Sequence, residues 1–213
     1  MSSQTSICNM ALTAIGMKTI SNINDTTVRA NACLAFWDDA ADDAFSEHRW
    51  SFATAIELLV AKTYSFPQWQ FTYAIPVFSK RVWTVFGITG GLQVNPNDGT
   101  MDFIQSTSDE ETQEFETLYI PNDNVRVIAS NEQNAYCRYT YKVSDVTIWT
   151  PKFCIAFAFK LAALIAPTLT GDGSKAITML QMYGGLINEE KRIGESEKIK
   201  KPTQSSGYQR SRG

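Results

Sequence analysis

The sequence predicts an α+β protein, mainly a helical bundle of about four helices, with an inserted β-rich region and a disordered basic C-terminal tail. Three observations lead there. The stretch Thr147 to Gly171 is apolar enough for a core helix, residues 54–146 change to short segments of period two, and the last residues lose nearly all apolar side chains. The divisions that follow are 1–53 for the N-terminal helices, 54–146 for the β-rich insert, 147–194 for the C-terminal helices and 195–213 for a flexible tail. With 213 residues, 44% hydrophobic and 19% charged, the chain can bury a sizeable core.

Residues 6–16, SICNMALTAIG, read as a short helix ended by Gly16, with Ile7, Met10, Ala11, Ala14 and Ile15 on one buried side. Asp25-Thr26-Thr27 is an N-cap cluster for a longer helix reaching about His48. Advanced by about 100° per residue, Cys33, Phe36, Trp37, Ala40, Ala41, Ala44 and Phe45 form one stripe, and Asp38, Asp39, Asp42 and Asp43 fall opposite. Asp38/Asp42 and Asp39/Asp43 are like-charged i,i+4 pairs, each costing a few tenths of a kcal/mol in an isolated helix. A solvated acidic face is the plain reading. The alternatives are a metal or acid/base site, which no spacing of further ligands completes, and a face met by basic groups of another subunit. His48, the only histidine, sits in the last turn, where the helix dipole favours a cation, and reads as a capping or packing residue. Trp50 and Phe52 anchor the exit from the helix.

In the β-rich region Ile56–Ala61, Phe71–Ile75, Arg81–Phe86, Met101–Gln105 and Phe115–Ile120 are candidate strands. The acidic run Ser108–Glu114 reads as an exposed loop. Val125–Ala129 and Ala135–Val143 read as a hairpin across Ser130–Asn134; along the second arm Cys137, Tyr139, Tyr141 and Val143 alternate with Tyr136, Arg138, Thr140 and Lys142, so one side is buried and the other faces solvent. GITGGLQVNPNDG lacks both the P-loop lysine and the dinucleotide fingerprint, so turns explain it.

Thr150 followed by Pro151 is a helix start, combining a side-chain acceptor with a residue whose missing donor costs nothing there. From Phe153 to Ala166 only Lys160 is polar, and Pro167 is expected to stop the helix. A membrane span is the rival, but the apolar run is shorter than the roughly 18 to 20 residues a bilayer needs and carries a lysine. The run therefore reads as a central core helix. Asp172 or Ser174 caps a final helix to about Ile193. Its stripe Ile177, Leu180, Tyr183, Gly184 and Ile187 suits the core, and Met179, Met182, Leu186 and Ile193 cluster on the other side. That second cluster is expected to pack against another subunit, the alternative being cover by the β insert or the first helix.

The formal charge of −3 implies no general affinity for nucleic acid, but its distribution is uneven. Lys191 to Gly213 holds seven Lys/Arg and two Glu, leaving −8 on the first 190 residues. The tail, with Lys198, Lys200, Lys201, Tyr208, Arg210 and Arg212, is either a solvated end or an element that orders against an acidic partner. Cys8, Cys33, Cys137 and Cys154 have no ligand-like spacing and read as reduced, mostly buried thiols.

The order of several local signals is also informative. N-x-A-L-x-x-I-G (Asn9 to Gly16), R-W-S-F (Arg49 to Phe52) and Y-A-I-P (Tyr73 to Pro76) come first, then R-Y-T-Y-K-V-S-D (Arg138 to Asp145), W-T-P-x-F (Trp149 to Phe153) and K-L-A-A-x-I-A-x-x-L-T-G (Lys160 to Gly171). Over about residues 6–194 the chain resembles the tail tubular protein A, or head-to-tail connector (adaptor), family of short-tailed bacteriophages. It departs from the pattern at Val77-Phe78-Ser79-Lys80 and in a longer, more acidic Asn95–Glu114 segment. The resemblance implies a helical bundle with a β insert, assembled as a homo-oligomeric (dodecameric) ring. Such a ring docks beneath the phage portal protein, receives the distal tail tube or nozzle protein, and lengthens the channel that double-stranded DNA crosses on ejection. It implies a virion tail protein made in the host cytoplasm, with no enzyme activity, catalytic residues, metal, cofactor or membrane. Two rival functions remain: a virion-associated hydrolase acting on cell wall, for which no carboxylate pair stands out, and a small nucleic-acid-binding module, argued down by the acidic body.

Overall fold

A computed structural model describes residues 3–87, 92–94, 101–103 and 113–196. The first helix, α1 (Gln4–Ala14), starts two residues before the expected point because the Ser3 hydroxyl accepts from the Ser6 N–H. It ends in a Schellman motif. Gly16, with φ +78°, donates its N–H to Thr13 O, and the Met17 N–H reaches Leu12 O. Asn9 then clamps the following loop, its side chain both donating to and accepting from the backbone of Ile20. The buried residues of α1 are Ile7, Cys8, Ala11 and Leu12, with Ile15 just beyond; Met10 and Ala14, expected inside, are exposed.

Helix α2 (Val28–Glu47) is capped by Thr27 and leads through a 3₁₀ turn (Ser51–Ala53) into the β region. The strands are β1 (Thr54–Leu58), β2 (Ala61–Lys62), β3 (Phe71–Ala74), β4 (Ser79–Phe86), β5 (Leu92–Val94), β6 (Met101–Phe103), β7 (Phe115–Ile120), β8 (Val125–Ser130) and β9 (Tyr136–Tyr141). Helices α3 (Pro151–Thr170) and α4 (Gly173–Ser196) complete the described chain.

This architecture corrects the expectation of a mainly helical bundle. Among the described residues, 45% of them helical and 24% in strands, four helices stand beside seven strands in two antiparallel sheets, so the protein is α+β and not mainly a helical bundle. One sheet has the order β1-β9-β4 and the other β2-β3-β8-β7, while β5 and β6 form a separate pair. The physical reason is that the β region has a core of its own. Tyr73 and Ile128 from one sheet meet Val85, Cys137 and Tyr139 from the other, together with Leu59 and Ala135. A region with its own buried cluster is a folding layer in its own right.

Strand pairing differs from the expectation as well. The expected hairpin of Val125–Ala129 with Ala135–Val143 does not form, because β8 lies between β3 and β7 while β9 lies between β1 and β4. The hairpin is instead β7–β8, joined by Pro121–Asn124, where Asn124 takes the left-handed conformation (φ +53°) that asparagine tolerates. The expected single strand Ile56–Ala61 is divided between β1 and β2. On β9 Cys137 and Tyr139 are buried as expected, but Tyr141 is only half-buried, as are Tyr136 and Arg138 on the other side, and Thr140 is fully buried and accepts a hydrogen bond from Trp83 Nε1 at 2.7 Å. Residues 88–91, 95–100 and 104–112, which carry most of the glycine-rich and acidic segments, lie outside the described residues.

α3 is the hub of the helical layer, touching α1, α2 and α4. Thr150 caps it, and Phe153, Phe157, Leu161 and Ile165 are fully buried. Pro167 does not stop the helix, which continues to Thr170. The fourth residue from the end tolerates a missing donor because the last turn is fastened otherwise: the Thr170 hydroxyl donates to Ala166 O, and the Gly171 N–H, in a left-handed residue, to Pro167 O. At 20 residues the helix is long and apolar enough to cross a bilayer by length and composition, contrary to the shorter run read from sequence. Most of its apolar window, 61%, is buried by the protein's own elements, which makes it a core helix. Around its N-terminal half Trp37, Phe45, Trp50, Phe52, Trp149 and Phe157 surround Phe153 in an aromatic cluster. Trp50 and Trp149 satisfy their indole N–H groups on the carbonyls of Ala44 and Val143. All four cysteines are buried and free; burial pushes the Cys137 thiol up to about 12, beyond thiolate chemistry at neutral pH.

Candidate subunit interface

The four aspartates of α2 divide into those that the chain itself neutralises and one that is simply exposed. Lys142, just beyond β9, places its ammonium 2.7 Å from Asp38 and 3.0 Å from Asp42. Lys80 lies 2.8 Å from Asp42. The β4–β9 register explains how Lys80 gets there. The ladder shifts by one residue between Ser79 and Arg81 and again between Val82 and Thr84, so Lys80 and Trp83 are the extra residues of two bulges. The first bulge delivers Lys80 to Asp42, and the second delivers Trp83 to Thr140. On the other side of α2, Lys160 of α3 pairs with Asp43 and, at 3.4 Å, with Glu47. The bases that meet Asp38, Asp42 and Asp43 therefore belong to the same chain, not to another subunit as the alternative to a solvated face had it; Asp39 is exposed. Sequence spacing gave no sign of this, because the lysines lie 38 or more residues away along the chain.

These pairs fasten the β layer to the helical layer. Partial burial by itself would raise the Asp42 pKa, but Lys80 and Lys142 outweigh it and hold the carboxyl below its usual 3.8. Burial likewise opposes the Lys142 charge, yet Asp38 and Asp42 hold its pKa above 10.5. A lowered acid contributes stability above its unfolded value and loses it as pH falls through the folded one. A raised base contributes below its unfolded value and loses it as pH rises through the folded one. Thermal stability should thus show a plateau from about pH 4 to about pH 10 with this clasp intact. Because the carboxylates of Asp38 and Asp42 reach water, each pair is worth about 1 kcal/mol or less, and Asp42→Asn should flatten the acid limb of the Tm–pH curve by a few degrees. An acid limb identical to that of the original protein would refute the clasp.

Along α4 the two apolar sides are not divided as the spacing suggested. Met179, Tyr183 and Ile187 are buried, and Leu186 is half-buried against the core. Ile177 and Leu180, expected inside, are exposed, as is Met182 (53%). Met179 is thereby removed from the candidate interface and Leu186 reduced to its edge. The Ile193 side chain and the tail residues Lys198, Lys200, Lys201, Tyr208, Arg210 and Arg212 lie outside the described residues. Lys175 and Glu189, seven residues to either side of Met182 and so on its flank, reach Ile15 O (2.9 Å) and Lys152 (4.0 Å). Met182 accordingly stands on the flank of α4 that looks across α3 toward α1.

Between α1 and α3 lies an open groove of about 700 Å³, lined by Met10, Ala14, Ile155, Ala158 and Phe159 with Asn9 and Thr13 at its polar edge. Among the described residues Ile155 (44% exposed) and Met10 stay partly open to solvent. By helical phase Ile155 and Phe159 project from the side of α3 opposite Phe153, Phe157 and Lys160, the residues that meet α2. A second apolar surface lies beyond α2, at the turn between β3 and β4. Val77 (74%) and Phe78 (79%) stand out there into solvent, and Phe78 has φ +64°. Sequence reasoning missed both. Met10 and Ala14 sit one flank away from the buried stripe of α1, and the signal at Val77-Phe78 was present as an apolar pair between Pro76 and Ser79.

No family model matches the chain, and no curated protein matches it. Among the described residues no three His, Cys, Asp or Glu side chains group closely enough to hold a metal ion. His48 closes α2 at its C-cap, its ring edge-on to Trp50 at 5.0 Å.

Proposed function

We propose that the protein is a subunit of a ring-shaped head-to-tail connector of a short-tailed bacteriophage, a structural part of the DNA channel between portal and distal tail. The observation that carries this reading is the presence of two unlike apolar surfaces on opposite sides of α3: the α1–α3 groove, and the Val77–Phe78 turn anchored to α2. A two-fold dimer buries one patch against its own copy, whereas rings use two different patches per subunit, each facing the other type on a neighbour. The motif order from Asn9 to Gly171 supplies the phage context. The acidic body suits a channel that lets DNA pass without gripping it, since tight phosphate binding would hinder ejection. The basic residues Lys198, Lys200, Lys201, Arg210 and Arg212, with Tyr208, are the proposed portal-docking element, and the distal tail tube or nozzle protein is the partner on the other side.

Negative-stain imaging of the purified protein, alone and with the portal protein of a short-tailed phage, tests the reading. Rings of uniform diameter stacked on the portal are expected, and truncation after Ser196 should leave the fold and abolish stacking. A protein that stays monomeric at every concentration, portal included, overturns it.

A further inference from the structure

The turn at Pro76–Ser79 combines two unfavourable features at one residue. The Ser79 N–H donates to Pro76 O at 3.1 Å, closing a four-residue turn whose third position is left-handed, a place for glycine, yet Phe78 occupies it with φ +64°. Its ring is then left almost wholly in water beside an equally bare Val77. The flanking backbone is held firmly. Lys80 is fixed on Asp42, and the Arg81 guanidinium sits 3.3 Å from Ser46 O and 4.3 Å from the centre of the Trp83 ring. A strained, exposed aromatic on a rigid mount is an outlier that structural needs do not explain.

We propose that Val77 and Phe78 of one subunit seat in the α1–α3 groove of the next copy of this chain, against Met10, Ala14, Ile155 and Phe159. The turn cannot fill the groove of its own chain. It is fastened to α2, which packs on the face of α3 opposite Ile155 and Phe159. The contact therefore runs head to tail, each subunit giving a tip and receiving one. Its size fits closure rather than pairing. A Val–Phe tip buries roughly 300–400 Å² per partner, at most half of the roughly 800 Å² that a stable pair needs, so isolated dimers are weak and the contact persists when every subunit has two neighbours. The proposal rests on the connector reading for its geometry and names the contact that would build the ring.

Two measurements test it. Single variants Val77→Cys and Met10→Cys are mixed and oxidised with molecular oxygen and a copper catalyst; the four native thiols are buried and stay out of the reaction. An inter-subunit disulfide that forms only in the mixture is expected. Phe78→Gly relieves the backbone strain, so its Tm should equal or exceed that of the original protein, while its half-assembly concentration rises about tenfold or more. Rings that form normally with Phe78→Gly, or that give no mixed disulfide, overturn the pairing and leave the connector reading standing. A protein that never oligomerises overturns both.

Discussion

Replacing Phe153 with alanine is expected to lower stability by about 3–5 kcal/mol, the largest effect of any single change in the helical layer. Phe153 is fully buried, and its ring centre lies 4.6 Å from that of Trp50, 4.8 Å from Trp149, 4.9 Å from Phe45 and 5.1 Å from Phe52. These partners come from α2, the 3₁₀ turn and the approach to α3, and each is held by something else: Trp50 and Trp149 by indole hydrogen bonds to backbone, Phe45 by the α2 helix. They cannot collapse far into the vacated volume, so the cavity term stays large. Circular dichroism should record a Tm lower by about 10 °C or more and a weaker near-ultraviolet aromatic band. Phe153→Leu, which keeps more of the volume, should cost about 1.5 kcal/mol. A loss below 1 kcal/mol for the alanine variant would mean that the cluster is not what unites α2 with α3.

The second large effect is at Lys160. It is the one polar residue of the apolar run, 8% exposed, with its ammonium between Asp43 and Glu47 of α2 and 4.9 Å from the centre of the Tyr183 ring on α4. One side chain thus ties three helices. Lys160→Met keeps the apolar stem but removes the charge, leaving two carboxylates side by side and a ring without its cation. Burial of a charged partner left alone costs 3–5 kcal/mol in a dry interior. Here Asp43 and Glu47 reach solvent, which reduces the expected loss to about 2 kcal/mol, or several degrees in Tm. In a double-mutant cycle with Asp43→Asn the two losses should fall short of additivity by about 1 kcal/mol. A methionine variant as stable as the original would show that the lysine is not held there for stability.

Lys160 also marks how far the sequence could be read. The start and body of the helix around it were legible from local chemistry: a threonine cap, a proline at the first position and an apolar run. So were the Thr27 cap and the acidic side of α2. What those acids do was not legible, because Lys80, Lys142 and Lys160 reach them through tertiary structure. The same holds for β8 and β9. Their alternation of apolar residues identified each as a strand, but short-range turn signals cannot tell a hairpin from a crossing between two sheets, and here the crossing prevailed. Pro167 misled for a related reason: a proline's cost depends on whether the last turn has other fasteners. On α4 apolar residues occur nearly all round, and periodicity alone could not choose between Leu180 and Met179 for the core. Of the interface candidates, Met182 keeps its exposed position. The groove and the Val77–Phe78 tip became apparent only when the packing of α1, α2 and α3 was known.

The position of α3 along the chain has a consequence for biosynthesis. The helix that gives α1 and α2 their cover spans Pro151–Thr170 of a 213-residue chain and leaves the ribosome only after the whole β layer has been made. At roughly 5–20 residues per second, the apolar stripes of the first two helices wait several seconds for their partner. During that interval the nascent chain carries apolar stripes that its own later elements do not yet cover. Final docking of the two layers must then come late, once loops spanning most of the polypeptide have closed.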